Sequence, residues 1–249
     1  MARTVLITGA SSGIGRALAL EFAARGYHLG LAARRLDLLA QLRDEVQSRY
    51  PDPARCIEIV ALDVDHSATL APTLRPLFAA LGTVDIVVVN AGVNRLTPVG
   101  RGGLAQAAQL IQTNLIGAIA TSEAAIEHFL AQGRGQLVGI SSLASLQAIP
   151  KQGAYCASKA GFSMYLDAAR VELKRKNIAV CRILPGVVLT EIMPKMEKYP
   201  FAVTAEQAAR ESVNLIEQRK AVGVVPAFPW RWLRPLFGHI PDALWRRLA

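Results

Sequence analysis

The sequence predicts an α/β fold, one doubly wound parallel sheet of about seven strands with helices on both faces. Three observations predict it. Short apolar runs alternate with longer helical segments along most of the chain. The runs are apolar nearly throughout, as in strands buried on both faces. No internal repeat, low-complexity tract or linker divides the 249 residues, a length that supports one large core.

The elements follow in order. Val5–Thr8 reads as the first strand, and Ile14–Arg25 as a helix entered through a glycine-rich turn. His28–Ala33 is the second strand, with a helix over Leu36–Ser48. Ile57–Leu62 is the third, then a helix over Ala68–Leu81. Val84–Val89 is the clearest strand, since Ile86-Val87-Val88-Val89 is β-branched throughout. One long helix is expected over Leu104–Ala131, a fifth strand over Gln136–Ile140 and a helix over Gly153–Lys176. Ile178–Leu184 is the sixth strand, Thr204–Arg219 a helix and Val222–Val225 a seventh strand. The whole of 1–249 reads as one domain, with a lid segment at about 190–203 and an extension rich in Trp, Arg and Pro at about 226–249.

Composition narrows the function classes. A hydrophobic share of 52% argues against disorder. Cys56, Cys156 and Cys181 are odd in number and widely spaced, which suits a reducing cytoplasm and gives no zinc pattern. The four histidines are scattered, so no metal site is expected. Net charge is +9, but the arginines are dispersed and no nucleic-acid motif is present. No apolar stretch approaches a membrane span, and the apolar N-terminus is too short for a signal peptide.

The chemistry is carried at the strand ends. Thr8-Gly9-Ala10-Ser11-Ser12-Gly13-Ile14-Gly15 joins the first strand to the first helix. Such a turn brings backbone amides and a helix N-terminus to a pyrophosphate, although its Gly-x-x-x-Gly-x-Gly spacing departs from the usual fingerprint. The second strand ends in Arg34-Arg35 where an acidic residue would bind the ribose of NAD. Guanidinium groups suit an added phosphate, so NADP(H) is favoured over NAD(H), with Arg34 the better candidate. The later strands end in Asp63-Val64, Asn90-Ala91-Gly92, Ser141-Ser142 and Pro185-Gly186, with Val188 and Thr190 following. In a parallel sheet all these ends share one edge, where ligands bind.

Tyr155 and Lys159 stand four residues apart, thirteen and seventeen residues beyond Ser142. On a helix they share a face. At about 4 Å and an effective dielectric near 20, the ammonium would favour the phenolate by roughly 4 kcal/mol, against the opposing effect of burial. Alone, the spacing is no more than chance supplies.

Taken together, the Thr8–Gly15 loop, Asp63, Asn90-Ala91-Gly92, Asn114, Ser142, Tyr155, Lys159, and Pro185-Gly186 with Thr190 resemble the short-chain dehydrogenase/reductase family, over about residues 3–195. The resemblance implies a Rossmann-type fold and interconversion of a ketone or aldehyde with its alcohol. It implies Tyr155 as general acid and base, Lys159 as its modulator and a ribose ligand, and Ser142 as a substrate-oxygen partner. Asn114 would anchor a water that links Lys159 to solvent. Asp63 and Val64 would meet the adenine, Asn90 to Gly92 the adenosine side, and Val188 and Thr190 the nicotinamide amide. A homodimer is expected.

The tail departs from ketoacyl reductases of the family, which end in a glycine-rich strand. It holds all three tryptophans among basic residues. Aromatics packed over the substrate pocket or a partner subunit are favoured there over a membrane surface, because Pro226, Pro229 and Pro235 interrupt any long amphipathic helix. Met193 and Met196 suit an apolar substrate under the lid. Two alternatives stay open: a non-catalytic NADP-binding sensor or scaffold, and a membrane-peripheral lipid-modifying reductase.

Overall fold

The computed structural model describes residues 2–190, 199 and 201–238. Met193 and Met196, expected under a lid, and the tail beyond Gly238 lie outside the described residues. Seven strands form one parallel sheet: β1 (Thr4–Thr8), β2 (His28–Ala33), β3 (Ile57–Ala61), β4 (Ile86–Val89), β5 (Gly135–Ile140), β6 (Ile178–Pro185) and β9 (Val222–Val225). Their order is β3-β2-β1-β4-β5-β6-β9. The doubly wound expectation therefore holds, including the seventh strand at the edge. The sequence did not anticipate the short parallel pair β7 (Val188–Leu189) and β8 (Val203–Thr204).

The apolar strands divide their side chains between two cores. Val5, Ile7, Leu29, Leu31, Val88 and Ile183 pack to one side, toward α1 (Gly13–Ala24), α2 (Leu36–Arg49) and α7 (Ala205–Glu217). Leu6, Val87, Val89, Leu137 and Val180 pack to the other, toward α3 (Ser67–Leu81), α5 (Ala118–Gln132) and α6 (Gly153–Glu172). A period of two within continuous apolar runs feeds both cores at once. Truncating one such side chain, as in Ile7→Ala, costs about 2–5 kcal/mol.

One expected element is broken. The helix anticipated over Leu104–Ala131 is α4 (Leu104–Ile111), a π-helical segment over Gln112–Gly117, and α5. The interruption has a tertiary cause. Asp65, just past β3, accepts from Thr113 Oγ1 at 2.6 Å and Gln109 Nε2 at 2.8 Å, while its carbonyl accepts from Gln112 Nε2 at 2.9 Å. A side chain at Gly117 would collide with the Val64 carbonyl. The widened turn carries Asn114, which is fully buried.

Candidate active site

The carboxyl ends of the main sheet's strands open into one cavity of about 860 Å³. All the residues expected to form the site line it except Gly13, Gly15 and Asn114, which act from behind its wall.

The loop after β1 is shaped by backbone constraints. Gly9 and Gly13 adopt φ of +67° and +54°, a region that disfavours other residues. At Gly15 a side chain would stand on the Gly9 carbonyl and within 2.5 Å of Asn90 Nδ2. That amide donates to Thr8 O at 3.0 Å and Gly9 O at 3.3 Å. The Asn90 and Ala91 backbone amides in turn donate to Thr8 Oγ1 at 3.1 and 3.3 Å. Asn90 thus braces the loop as well as facing the cavity. Helix α1 begins at Gly13 with no acidic residue in its first turn and no side-chain cap on its amides. Those donors and the positive end of the helix fit a phosphate.

Both arginines after β2 are exposed at the cavity. Arg35, rather than Arg34, reaches the glycine loop: its Nη2 donates to Ser11 Oγ at 3.0 Å and Ser12 Oγ at 2.8 Å. Beyond β3, Asp63 and the buried Val64 line the same end. Asp63 Oδ1 accepts from the Asp65 amide at 3.1 Å.

Toward the other end, Ser142 follows β5, and Tyr155 and Lys159 lie on α6. Ser141 fixes α6 against β5, donating to Lys159 O at 3.1 Å and sharing a 2.7 Å hydrogen bond with Ser163. Ser142 Oγ accepts from the Ala144 amide at 3.1 Å and is near enough to the Tyr155 hydroxyl to favour its ionised form. Asn114 Oδ1 accepts from the Val93 amide and its Nδ2 donates to Val93 O, each at 2.8 Å, with a 3.3 Å bond to Ser158 Oγ. A Cβ at Gly92 would lie 3.1 Å from Asn114 Oδ1 and 3.5 Å from Lys159 Nζ. The absence of a side chain there lets these groups approach.

Burial governs the ionisation of the pair. It pushes the Tyr155 phenol up, opposed by the Ser142 hydrogen bond and reinforced by Cys156. It pushes the Lys159 ammonium down to about 8. The sequence alone favours Lys159–Tyr155 attraction over burial. In the structure burial is the largest effect on both, neither group is among the causes of the other's shift, and Lys159 Nζ donates to Ile140 O at 3.0 Å. Lys159 still keeps most of its charge at pH 7.

Pro185 ends β6 and Gly186 follows it, Val188 is buried in β7, and Thr190 stands over Gly13. Of the remaining wall, the sequence anticipated the tail aromatics over the pocket but not Gln147, Ile149, Gln152 or Tyr199. That wall comprises Gln147, Ile149, Gln152, Tyr199, Trp230 and Phe237. Trp230 lies on Gly186, where a side chain would meet its Nε1 at 2.9 Å. Gln147 Oε1 accepts from the Gly238 amide at 2.6 Å. The only signal was composition: tryptophans gathered after an unusual final strand.

A dinucleotide crevice at the carboxyl edge of a parallel sheet, joined to a Ser–Tyr–Lys group, defines an oxidoreductase of the nucleotide-binding α/β class. The family model for short chain dehydrogenase matches residues 3–200, and the chain belongs to that family. It is 37% identical over 253 residues to an uncharacterized oxidoreductase of Myxococcus xanthus, covering 99% of this chain and 97% of that one. An uncharacterized oxidoreductase of Mycobacterium tuberculosis is 36% identical over 246 residues, with 98% and 96% covered. Among solved structures, a short-chain type dehydrogenase/reductase from Mycobacterium marinum aligns at a TM-score of 0.79 and 27% identity, over 89% of this chain and 92% of that one.

Proposed function

We propose that this oxidoreductase uses NADP(H) to interconvert an apolar ketone or aldehyde and its alcohol. The carrying observation is that Ser142, Tyr155 and Lys159 line the same cavity as the glycine loop. When bound, the dinucleotide supplies or accepts the hydride. Ser142 holds the substrate oxygen and stabilises charge that develops on it. Tyr155, protonated at neutral pH because burial raises its pKa, gives its proton to that oxygen in reduction and takes it back in oxidation. Lys159, in the same cavity, would hold the ribose of the dinucleotide, and Asn114 holds the backbone of Val93 on that wall.

Arg34 and Arg35 support the choice of NADP(H). Two exposed guanidinium groups face the cavity at the end of β2, and no carboxylate lies between them and Gly30. Arg35 already spans to Ser11 and Ser12, which sets it where an adenosine phosphate would meet the loop. A solved structure of a putative NAD(P)-dependent gluconate 5-dehydrogenase from Beutenbergia cavernae, with bound NADP at low occupancy, is 26% identical to this chain. A homodimer through α4, α5 and α6 is supported by Leu104, Ile116, Met164 and Val171, apolar residues exposed on or between these helices.

Following NADPH and NADH oxidation against a panel of ketones and aldehydes tests the reading. Turnover is expected with at least one apolar carbonyl, faster with NADPH. Tight NADPH binding with no turnover across the panel would favour a sensor, and equal rates with the two dinucleotides would refute the arginine argument.

A further inference from the structure

The described part of the tail has two faces. Trp230 and Phe237 turn inward and line the cavity. Phe228, Trp232 and Leu236 turn outward and are 71%, 77% and 58% exposed. The faces are joined: Phe201 packs edge-on against both Phe228 and Trp230, each with ring centroids 6.0 Å apart, and Trp230 meets Phe237 at 6.1 Å. Aromatic surface therefore runs unbroken from solvent to the cavity wall. A soluble face rarely presents aromatics so openly unless something covers them.

Along the chain the charge around them has one sign. Between Glu217 and Asp242 the chain carries Arg219, Lys220, Arg231 and Arg234 and no acidic residue. Among the described residues neither Arg231 nor Arg234 pairs with a carboxylate, since Asp167 serves Arg182 at 3.1 Å and Arg170 at 3.8 Å. The nearby Glu211 is held by the Ala227 amide at 2.9 Å. A two-fold pairing of this face with a second copy would set arginine against arginine. Outward aromatics interleaved with arginines instead suit an anionic lipid surface, the rings at headgroup depth and the guanidinium groups at the phosphates. The prolines shorten the helix to α8 (Trp230–Leu233), so the contact is a compact patch and not a long amphipathic helix.

We propose that Phe228, Trp232 and Leu236, with Arg231 and Arg234, dock the protein on an anionic bilayer with the cavity's aromatic wall next to the lipid. Where the oxidoreductase reading holds, its substrate class is then a carbonyl compound dissolved in that lipid. Docking itself requires no turnover, so it can fail while the reading stands.

The full chain should sediment with vesicles of phosphatidylcholine mixed with phosphatidylglycerol and remain in solution with phosphatidylcholine alone. The Arg231→Gln/Arg234→Gln double variant should bind the mixed vesicles about 30-fold more weakly. Trp232→Ser/Leu236→Ser should abolish sedimentation while melting normally and reducing a water-soluble ketone at the parent rate. Failure of the parent protein to sediment with the mixed vesicles, or unchanged binding in both double variants, would overturn the proposal. So would a dimer, seen by gel filtration without lipid, that Trp232→Ser/Leu236→Ser dissolves, because that face would then join two copies.

Discussion

The two ends of the cavity are built by different means. The dinucleotide end is shaped at the backbone: glycines with no room for a Cβ, and carbonyls that accept from the Asn90 side-chain amide. The substrate end is side chain laid on side chain, with Trp230 over Gly186 and Phe237 behind it, brought from the far end of the sequence. The first can change little without failing. The second can change its occupant by changing one ring, which is how one fold serves many substrates.

Gly15→Ala should break the contrast from the rigid side, with the largest effect. Its Cβ has no space between Gly9 O and Asn90 Nδ2. Overpacking of this kind costs about 1–3 kcal/mol, and the displaced loop should lose dinucleotide affinity by about a hundredfold or more. Calorimetric titration with NADPH measures it, and parent-like binding would show that the loop yields to a Cβ at this position.

Trp230→Ala should sharpen the contrast from the adaptable side. Removing the indole opens the wall over Gly186. The expected result is a rise of about tenfold in KM for an apolar carbonyl, from roughly 1–3 kcal/mol of lost apolar contact. NADPH affinity should stay within about twofold. A loss of NADPH affinity equal to the loss for the carbonyl would mean that the two ends are not separate.

A third effect is a pH dependence at the point where the ends meet. Lys159 falls from 10.5 to about 8 on folding. Below about 8 both states carry the charge and the burial cost is constant. Between about 8 and 10.5 the unfolded chain binds more protons than the folded one, so stability should rise with pH. Lys159→Met should lack that rise. Urea unfolding at stepped pH checks it, and identical slopes in parent and variant would contradict the burial of the ammonium.

The same division explains what the sequence discloses. Strands and their polar ends are legible because a strand's burial and a glycine's backbone freedom are local properties. The π segment around Asn114 is not, since it depends on Asp65 and Val64 meeting residues about fifty positions away. Nor is the precedence of Arg35 over Arg34 at Ser11 and Ser12, which turns on side-chain direction after β2. The helix-face argument places Tyr155 and Lys159 together, but the sign of their pKa shifts depends on burial that only the packed β5–α6 contact determines. The tail's aromatics are visible as composition. Their division into an inward and an outward face is set by the chain's path over β9.

The central claim is that Tyr155 moves the proton in a reaction whose dinucleotide is held elsewhere. Single-turnover reduction by Tyr155→Phe, measured with NADPH binding on the same sample, tests it most directly. The account predicts a rate lower by about 10²–10⁴-fold with NADPH affinity within about twofold of the parent. A Tyr155→Phe protein that reduces its carbonyl at the parent rate would contradict it.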